Sequence, residues 1–429
     1  MAGQQIRAAF FAAQLVLLLS GPAAAQAAPA AIEDQRPPGL TGANWQFGPL
    51  NRWAYTHLNE VLPSKTIRND PRAVRPLPEL DRAARDLALT IDGTPTSLAQ
   101  QMDRLYIDGV IALVNGGVRL ERYGGTLAPE RTHLLWSVSK TITGLVAGSV
   151  AADGLIDLDR TVADYVPALA ASGWGPDRLR DLLDMRDASA WTEDYAAPDS
   201  TVRRQDCADG LLTGPDCEGI PVTGNYAFLP AVPRDPARAG RFVYKSGTTD
   251  ALAWVLEAAT GRRFADLVSE RLWQPIGAER DAGIAVDSSG FTLASGGMHA
   301  TLRDTARVGQ LMLDRGRIGD RQVLPAAWLD AIFSDDGSRS WPRDAADGER
   351  PYYRRFVWGL GDGRGTVQAR GVHGQVVHVA PQAGIVIVML SSWPDAGGGA
   401  RGVDEAAQLR LLRAMETALQ RSSSGTWSE

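Results

Sequence analysis

The segment LLWSVSKTITG (134–144) sets Ser137 three residues ahead of Lys140, with Ser139 between them. On a helix, residues three apart share a face, while adjacent residues diverge by about 100°. Ser137 and Lys140 can therefore meet, and Ser139 is left a structural part. A serine hydroxyl is a poor nucleophile until a base takes its proton. A lysine can be that base if burial or neighbouring positive charge lowers its pKa from about 10.4 toward neutrality. A helix start suits the serine twice over. Its own N–H is free to donate to an oxyanion, and the helix dipole favours negative charge there. SxxK by itself recurs by chance in a chain of 429 residues. The bland alternative is a surface lysine near a helix N-terminus, so the surrounding residues must decide.

Tyr244 lies in GRFVYKSGTTDALAW (240–254), at the end of an apolar run and just before a helical pattern. A phenol hydrogen-bonded to a lysine ammonium can cycle as general base and acid. Positioning such groups requires regular elements. DGVIALVNGGVRLERY (108–123) is an apolar strand, an Asn-Gly-Gly turn and an alternating strand, which signals a hairpin. TITGLVAGSVAADG (141–154) has small and apolar residues at helical spacing and ends at a glycine, which predicts a buried helix beginning near Ser137. Helical patterns recur at 250–260, 303–315, 325–333 and 403–420, and strand-like runs at 371–381 and 384–393. This order is not the strand–helix alternation of a parallel sheet. It predicts an α+β fold: one antiparallel sheet from N- and C-terminal strands, with a helical region inserted over roughly 141–300. The stretch 185–245, rich in Asp, Pro and Gly, is expected to supply long loops lining the site.

A formal net charge of −6 and a pI near 5.5 argue against nucleic acid or an anionic membrane as an obligate partner. The N-terminus has one basic residue, Arg7, an apolar run from Ala8 to Leu19, and small residues around Ala23, Ala25 and Ala27. That is the layout of a Sec-type signal peptide over residues 1–27, too short for a stable membrane anchor. A retained N-terminal helix is the alternative. No later segment approaches the roughly 20 apolar residues of a membrane span. The mature protein is therefore expected to be periplasmic or secreted and free of the membrane. Residues 28–47 read as an extended leader, 48–420 as one folded domain and 421–429 as a flexible tail. Cys207 and Cys217 are the only two cysteines, and in an oxidising compartment their close spacing in a loop favours a disulfide over two free thiols. Such a bridge would stabilise by about 2–3 kcal/mol on the chain-entropy model. The five histidines, His57, His133, His299, His373 and His378, lack HExxH or HxH spacing, so no metal and no cofactor are expected. Nothing in the sequence sets an oligomeric state.

WSVSK, YKS ahead of a helix, GGMHATLRDTARVGQLML (296–313) and GVHGQ (371–375) occur in this order. Together they resemble serine hydrolases of the class C β-lactamase/penicillin-binding-protein fold. Within that group, NRWAYTHLNEVLPSKTIRNDP (51–71), EDYAAPDS (193–200) and LSSWPD (390–395) are similar to the nylon-oligomer (6-aminohexanoate-dimer) hydrolases. The likeness runs from roughly residue 48 to 395. It implies Ser137 as the acylated nucleophile, Lys140 as its base partner and Tyr244 as the proton shuttle to the leaving group. It implies an oxyanion hole from the backbone N–H groups of Ser137 and Val372. It also implies that Tyr195 bonds the scissile amide or its leaving nitrogen. Asp206 falls, by ungapped spacing from Tyr195, where that branch carries an acidic residue for a substrate's amino group. His373 stands close enough to the site for a substrate contact. The alternatives are a solvated loop carboxylate for Asp206 and an ordinary strand histidine for His373. His378, Trp191 and Trp393 read as packing or pocket-wall residues.

Two departures bear on substrate. Lys245-Ser246-Gly247 looks like the Lys-Thr-Gly motif of penicillin-recognising enzymes, but it precedes a helix instead of lying on a late strand. His373-Gly374-Gln375 stands on that strand, so the anchor for a β-lactam carboxylate is missing. Ser246 also replaces the asparagine that β-lactamases and peptidases use after the tyrosine, which shortens any amide-donor contact. The resemblance so modified implies an amidase or carboxylesterase acting on a small-molecule amide or ester. A β-lactamase or D-alanyl peptidase is a rival that the export signal favours. A non-catalytic ligand sensor is a third, disfavoured because Ser137, Lys140 and Tyr244 are all present.

Overall fold

The computed structural model describes residues 35–80, 87–335, 349–397 and 403–423. The chain divides into a short unit, Met1–Arg36, and one large unit, Pro37–Glu429. The expected signal segment lies outside the described residues, as do residues 424–429 of the expected tail. The last helix runs to Ser423, three residues beyond the end expected for the domain.

Seven strands form one antiparallel sheet. In chain order they are β1 (Ile107–Val114), β2 (Gly117–Tyr123), β3 (Tyr352–Arg354), β4 (Val357–Gly359), β5 (Val367–Gly371), β6 (Gln375–Ala380) and β7 (Ile385–Ser391). Their order across the sheet is β3-β4-β5-β6-β7-β1-β2. The hairpin β1–β2 therefore joins the late strands through β7, with Val110 opposite Met389 and Ala112 opposite Ile387. Period-two alternation sends Ile111, Leu113, Val377 and Val388 to one face and Val110, Ala112, Val376 and Ile387 to the other. Both faces are covered, which is why these strands are apolar throughout. Full burial of each Val, Ile or Leu stabilises by about 1.5–3 kcal/mol.

The outer face carries helix Leu98–Arg104, whose Ser97 and Gln100 form a capping box, and the C-terminal helix Glu405–Ser423. Residues Ala407, Leu411, Leu412, Met415 and Leu419 give that helix one apolar stripe against the sheet. The inner face carries α1 (Val138–Ala152) and α4 (Leu302–Leu313); α3 (Ser246–Thr260) packs on α1, and α2 (Thr201–Asp209) is joined to α3 through Gln205 and Asp250. The inserted region is not helical to its end. Ala282–Ala285 and Met298–Ala300 pair in a second, four-stranded sheet with Ser64–Ile67 and His133–Leu134.

Two expected segments differ in conformation. Residues 38–50 are a succession of turns rather than an extended leader, because Leu40 and Trp45 have a place in the core. Trp45 is 1 % exposed and its indole donates to the Leu211 carbonyl at 2.7 Å. The run 371–381 is not one strand. It breaks at Val372–Gly374, where His373 has φ 61° and Gly374 φ 86°. The chain reverses there: β5 and β6 are the arms of an antiparallel hairpin that closes at Gly371 opposite Gln375. On the other side of β6, a side chain continues the backbone ladder. The Gln375 amide donates to the Ser391 carbonyl at 2.6 Å and accepts from the Ser391 N–H at 3.0 Å. A Cβ on Gly374 would lie 2.4 Å from the Trp393 ring, so the turn also depends on that glycine.

The inner helices sit close on the sheet. On α4, a Cβ at Gly309 would lie 2.6 Å from Cγ1 of Val386 and 2.8 Å from Cγ1 of Val377. Gly309→Val should therefore overpack this contact and cost about 1–3 kcal/mol. Thermal denaturation measures it, and an unchanged midpoint would contradict the packing described.

Candidate active site

Ser137 is the N-cap residue of α1 and is buried. Lys140 stands one turn on, 1 % exposed, with its ammonium 2.8 Å from the Ser137 Oγ. The same Nζ donates to the Ser295 carbonyl at 2.7 Å. Burial draws the Lys140 pKa down to about 8, against upward pulls from the Glu193 and Asp250 carboxylates. An amine with such a pKa is neutral often enough near pH 7 to accept a hydroxyl proton. Ser139 faces elsewhere, as its spacing implies, and accepts a hydrogen bond from the Met298 N–H at 3.1 Å. Thr143 donates to the Ala294 carbonyl at 3.2 Å. One face of α1 is thus stitched to the segment 294–298, which holds Lys140 in its place.

Tyr244 enters from the other side, its ring centroid 5.2 Å from the Lys140 Nζ. The ring stacks on Trp358 of β4 at 5.4 Å and meets Tyr353 of β3 edge-on at 6.0 Å. Burial raises its pKa above the ordinary phenol value, the Glu193 charge adds to this, and the Ser137 hydroxyl works against it. The group is therefore a phenol, a proton donor, at neutral pH. Lys245 is the N-cap of α3 and no part of the sheet. Its buried ammonium pairs with Asp187 Oδ1 at 2.7 Å, and Asp187 also accepts from Ser189 and Thr248. A buried pair with its remaining lone pairs satisfied holds structure together, and here it ties the Tyr244 segment to the loop at 187–189.

Gly371 brings the turn at 372–374 against the helix start. A Cβ there would lie 2.7 Å from the Leu135 carbonyl and 3.0 Å from the Ser137 amide nitrogen, so only glycine allows this approach. Among the described residues, neither the Ser137 nor the Val372 amide donates to a backbone carbonyl in the turns and loops. Both are left available. Trp136, immediately before Ser137, has φ 46°, a conformation that costs of order 1–2 kcal/mol for such a residue. Stacking holds it there. Its ring lies between Trp45 at 5.7 Å and His373 at 5.6 Å, with Tyr55 edge-on at 5.7 Å. His373 donates through Nδ1 to the Trp393 carbonyl at 2.7 Å, and burial lowers its pKa to about 4. It lines the cleft in the 372–374 turn rather than as a strand histidine, its neutral ring packed on Trp136.

The cleft has a volume of about 520 Å³ and is lined by Ser137, Tyr195, Asp206, Ser246 and His373, among others. Every substrate-contact position expected from the sequence is thus on its wall. Asp206 is engaged by Arg203 of the same helix, α2, at 3.3 Å, and burial pushes its pKa up to about 7. Cys207, beside it, is bonded to Cys217. Sequence reasoning missed Glu193, which joins most of these parts. It accepts from the Trp191 indole at 2.5 Å, the Tyr195 hydroxyl at 2.6 Å and the Ser246 amide at 2.8 Å, and from the Ser246 hydroxyl. It therefore sits on the N-terminus of α3, where the dipole favours a carboxylate. The EDY tripeptide contained the only signal for it. Sequence reasoning also passed over Asp250, wholly buried one turn along α3 from Ser246.

A nucleophile, a lysine of lowered pKa and a phenol meeting on an α+β frame define a serine hydrolase. The Beta-lactamase family pattern matches residues 97–411, and the chain belongs to that family. It is 38 % identical over 358 residues to the 6-aminohexanoate-dimer hydrolase of Paenarthrobacter ureafaciens, covering 82 % of this chain and 88 % of that one. A Bacillus anthracis protein assigned as a 6-aminohexanoate-dimer hydrolase superposes with a TM-score of 0.81 at 26 % identity, covering 91 % of this chain and 98 % of the other. EstCE1, a hydrolase with promiscuous acyltransferase activity, shares the fold at a TM-score of 0.56 and 17 % identity, over 74 % of this chain and 96 % of that one.

Gly371→Ala should push the Val372 turn away from Ser137. An oxyanion-hole donor is worth about 10²–10³ in kcat, so even partial displacement is expected to lower kcat by tenfold or more in a folded protein. Ester hydrolysis beside a thermal melt tests this. An unaltered kcat would mean that the Val372 amide takes no part.

Proposed function

We propose that this protein is an exported serine hydrolase that cleaves amide or ester bonds of small carboxylic acid derivatives through an acyl-enzyme at Ser137. The carrying observation is the 2.8 Å contact between Ser137 and a buried Lys140 whose pKa is drawn down to about 8. The Ser137 Oγ attacks the carbonyl carbon while its proton passes to neutral Lys140. The oxyanion rests on the amides of Ser137 and Val372. As the C–N or C–O bond breaks, the Tyr244 phenol gives its proton to the leaving atom and takes one from Lys140 in return. Water then attacks the acyl carbon, loses its proton to the lysine–tyrosine pair, and the ester bond to Oγ breaks with a proton returning to Ser137. Every proton is returned and no cofactor enters these steps.

The cleft wall indicates which acyl groups suit it. The wall carries Glu193, Asp194, Asp206, Asp209 and Asp395 and, among the cations, Arg203; burial pushes the Asp206 and Asp209 pKa values up, and the balance is still negative. A carboxylate-bearing β-lactam meets repulsion, whereas a neutral or amino-terminated acyl chain does not. Ser246 is also turned to Glu193, away from the donor role an asparagine would serve. The relative in Paenarthrobacter ureafaciens makes the 6-aminohexanoate dimer the first amide to try. Asp206 is the carboxylate placed to take its amino group, in exchange for Arg203. Export to the periplasm or medium is supported by the signal-like residues 1–27 and by the Cys207–Cys217 bridge, which an oxidising compartment preserves.

Four results are expected. Ser137→Ala should abolish hydrolysis of nitrophenyl esters and the mass shift that a serine-reactive phosphonate leaves on the wild type. For a neutral ester, kcat/KM should rise with pH through about 8, because Lys140 must lose its proton to act as base. For the 6-aminohexanoate dimer, KM should also improve as Asp206 ionises above about 7, and Asp206→Asn should remove that second dependence alone. Profiles identical for both substrates would remove Asp206 from the reading. N-terminal sequencing of protein recovered outside the cytoplasm should start near residue 28, and an intact Met1 would contradict export.

A further inference from the structure

Asp250 is a wholly buried carboxylate that the reaction above does not use. It leaves α3 one turn beyond Ser246, on the same face. A carboxylate taken out of water must be hydrogen-bonded. Asp250 receives the Ser295 amide on Oδ1 at 2.9 Å, and the Ser295 hydroxyl and Gln205 Nε2 on Oδ2, each at 2.9 Å. All three donors are neutral. The cation that faces Asp250 is Lys140, and Ser295 stands between them. Both donors of Ser295 point to Asp250, and its carbonyl accepts from the Lys140 Nζ at 2.7 Å.

We propose that Asp250 is a positioning residue for the reaction: by holding both donors of Ser295 it fixes the carbonyl that orients the Lys140 amine toward Ser137. The reason lies in the geometry of a neutral amine. Nζ then has two N–H bonds and one lone pair, and it can rotate about Cε–Nζ. A fixed acceptor on one side takes an N–H and sets where the lone pair falls, which must be on the Ser137 hydroxyl for the proton to transfer. A carbonyl free to shift by an ångström would lose that alignment, and small misplacements of reacting groups cost large factors in rate. Asp250 also sets a negative charge in front of the ammonium formed in that step. Gln205, its third donor, lies on α2 beside Asp206, so the same carboxylate joins the base to the wall that carries the substrate-contact position.

This inference rests on the Ser137–Lys140 reading, and a single experiment keeps the two apart. Full-length wild type and Asp250→Asn are compared by mass spectrometry of Ser137 after phosphonate treatment and by pH profiles of nitrophenyl-ester hydrolysis. The charged and titratable groups around Lys140 are Glu193 from the loop, Asp250 from α3 and the Tyr244 phenol. Those around Asp250 are Lys140, and Asp206 and Asp209 of α2. An asparagine offers one acceptor where three donors converge and removes a charge that raises the Lys140 pKa. The expected result is a kcat about tenfold lower, KM within about twofold, and an acid limb moved to lower pH. A folded Asp250→Asn with the wild-type kcat and limb overturns the inference. So does a loss of rate that follows only the folded fraction, with the limb in place. If Asp250→Asn does not fold, Ser295→Ala, which removes one of the two grips and leaves the Asp250 charge, should show a smaller kcat loss with KM unchanged and the limb in place, and a wild-type kcat there overturns it. Absence of Ser137 labelling in the wild type would instead overturn the acyl-enzyme reading.

Discussion

A lysine taken out of water loses hydration worth several kcal/mol if it stays charged, and the site is built around how Lys140 meets that cost. Its partners are one carbonyl, from Ser295, and one hydroxyl, from Ser137. The carboxylates that favour its charge, Glu193 and Asp250, act without touching it. Direct contact with either would hold the proton on Lys140 and remove it as a base. With neither, burial alone would depress the ammonium so far that it could not keep the serine's proton. Lys245 shows the other solution, a direct pair with Asp187 at 2.7 Å that holds a loop. Burial lowers the pKa of both lysines, but the amine of Lys245 is taken up by Asp187 while that of Lys140 touches the Ser137 hydroxyl.

Most of the remaining architecture follows from keeping that lysine dry and aligned. The sheet supplies β3 and β4, whose Tyr353 and Trp358 carry the Tyr244 ring. It also supplies the break after β5, which delivers the Val372 amide to the helix start. Helix α1 supplies the serine and lysine on one face and Ser139 and Thr143 as anchors to 294–298. Glu193 adds the connection between loop and α3, holding Tyr195 and Ser246 in one cluster. Its charge also reaches Tyr244, where it keeps the phenol protonated. The same carboxylate thus contributes to two proton sites and to the acidity of the cleft.

What could be read from the sequence was whatever depends on neighbours in the chain. The spacing of Ser137 and Lys140, the hairpin at 108–123 and the apolar run of β7 are local patterns, and each is present as expected. What escaped depends on partners far away in the chain. The three-residue strands β3 and β4 are too short to show a period. The reversal at 372–374 depends on β5 pairing with β6, with Gln375 reaching Ser391 and Trp393 packed behind Gly374. Residues 28–42 are Ala/Pro/Gly-rich, so the leader 28–47 reads as extended, yet Leu40 and Trp45 give its described part buried anchors. Glu193 and Asp250 look like ordinary solvated carboxylates until their donors are seen. Glu193 bonds Ser246 across 53 positions, and Asp250 bonds Ser295 across 45.

The aromatic stack explains why a segment outside the expected domain belongs to the site. The two amides proposed for the oxyanion come from Ser137 and Val372, which are remote in sequence and are brought together by the close approach of Gly371. Trp136 precedes the first and His373 follows the second, and their rings stack on each other. Trp45 stacks on the far face of Trp136, and its indole is bonded to Leu211 on the cleft wall. The left-handed backbone of Trp136 is therefore held by packing on both ring faces rather than by local preference. Such strain persists where the surroundings over-determine it. Here they do so through residues from the leader, the helix start and the broken strand, so the spacing of the two amides is a property of the whole cluster.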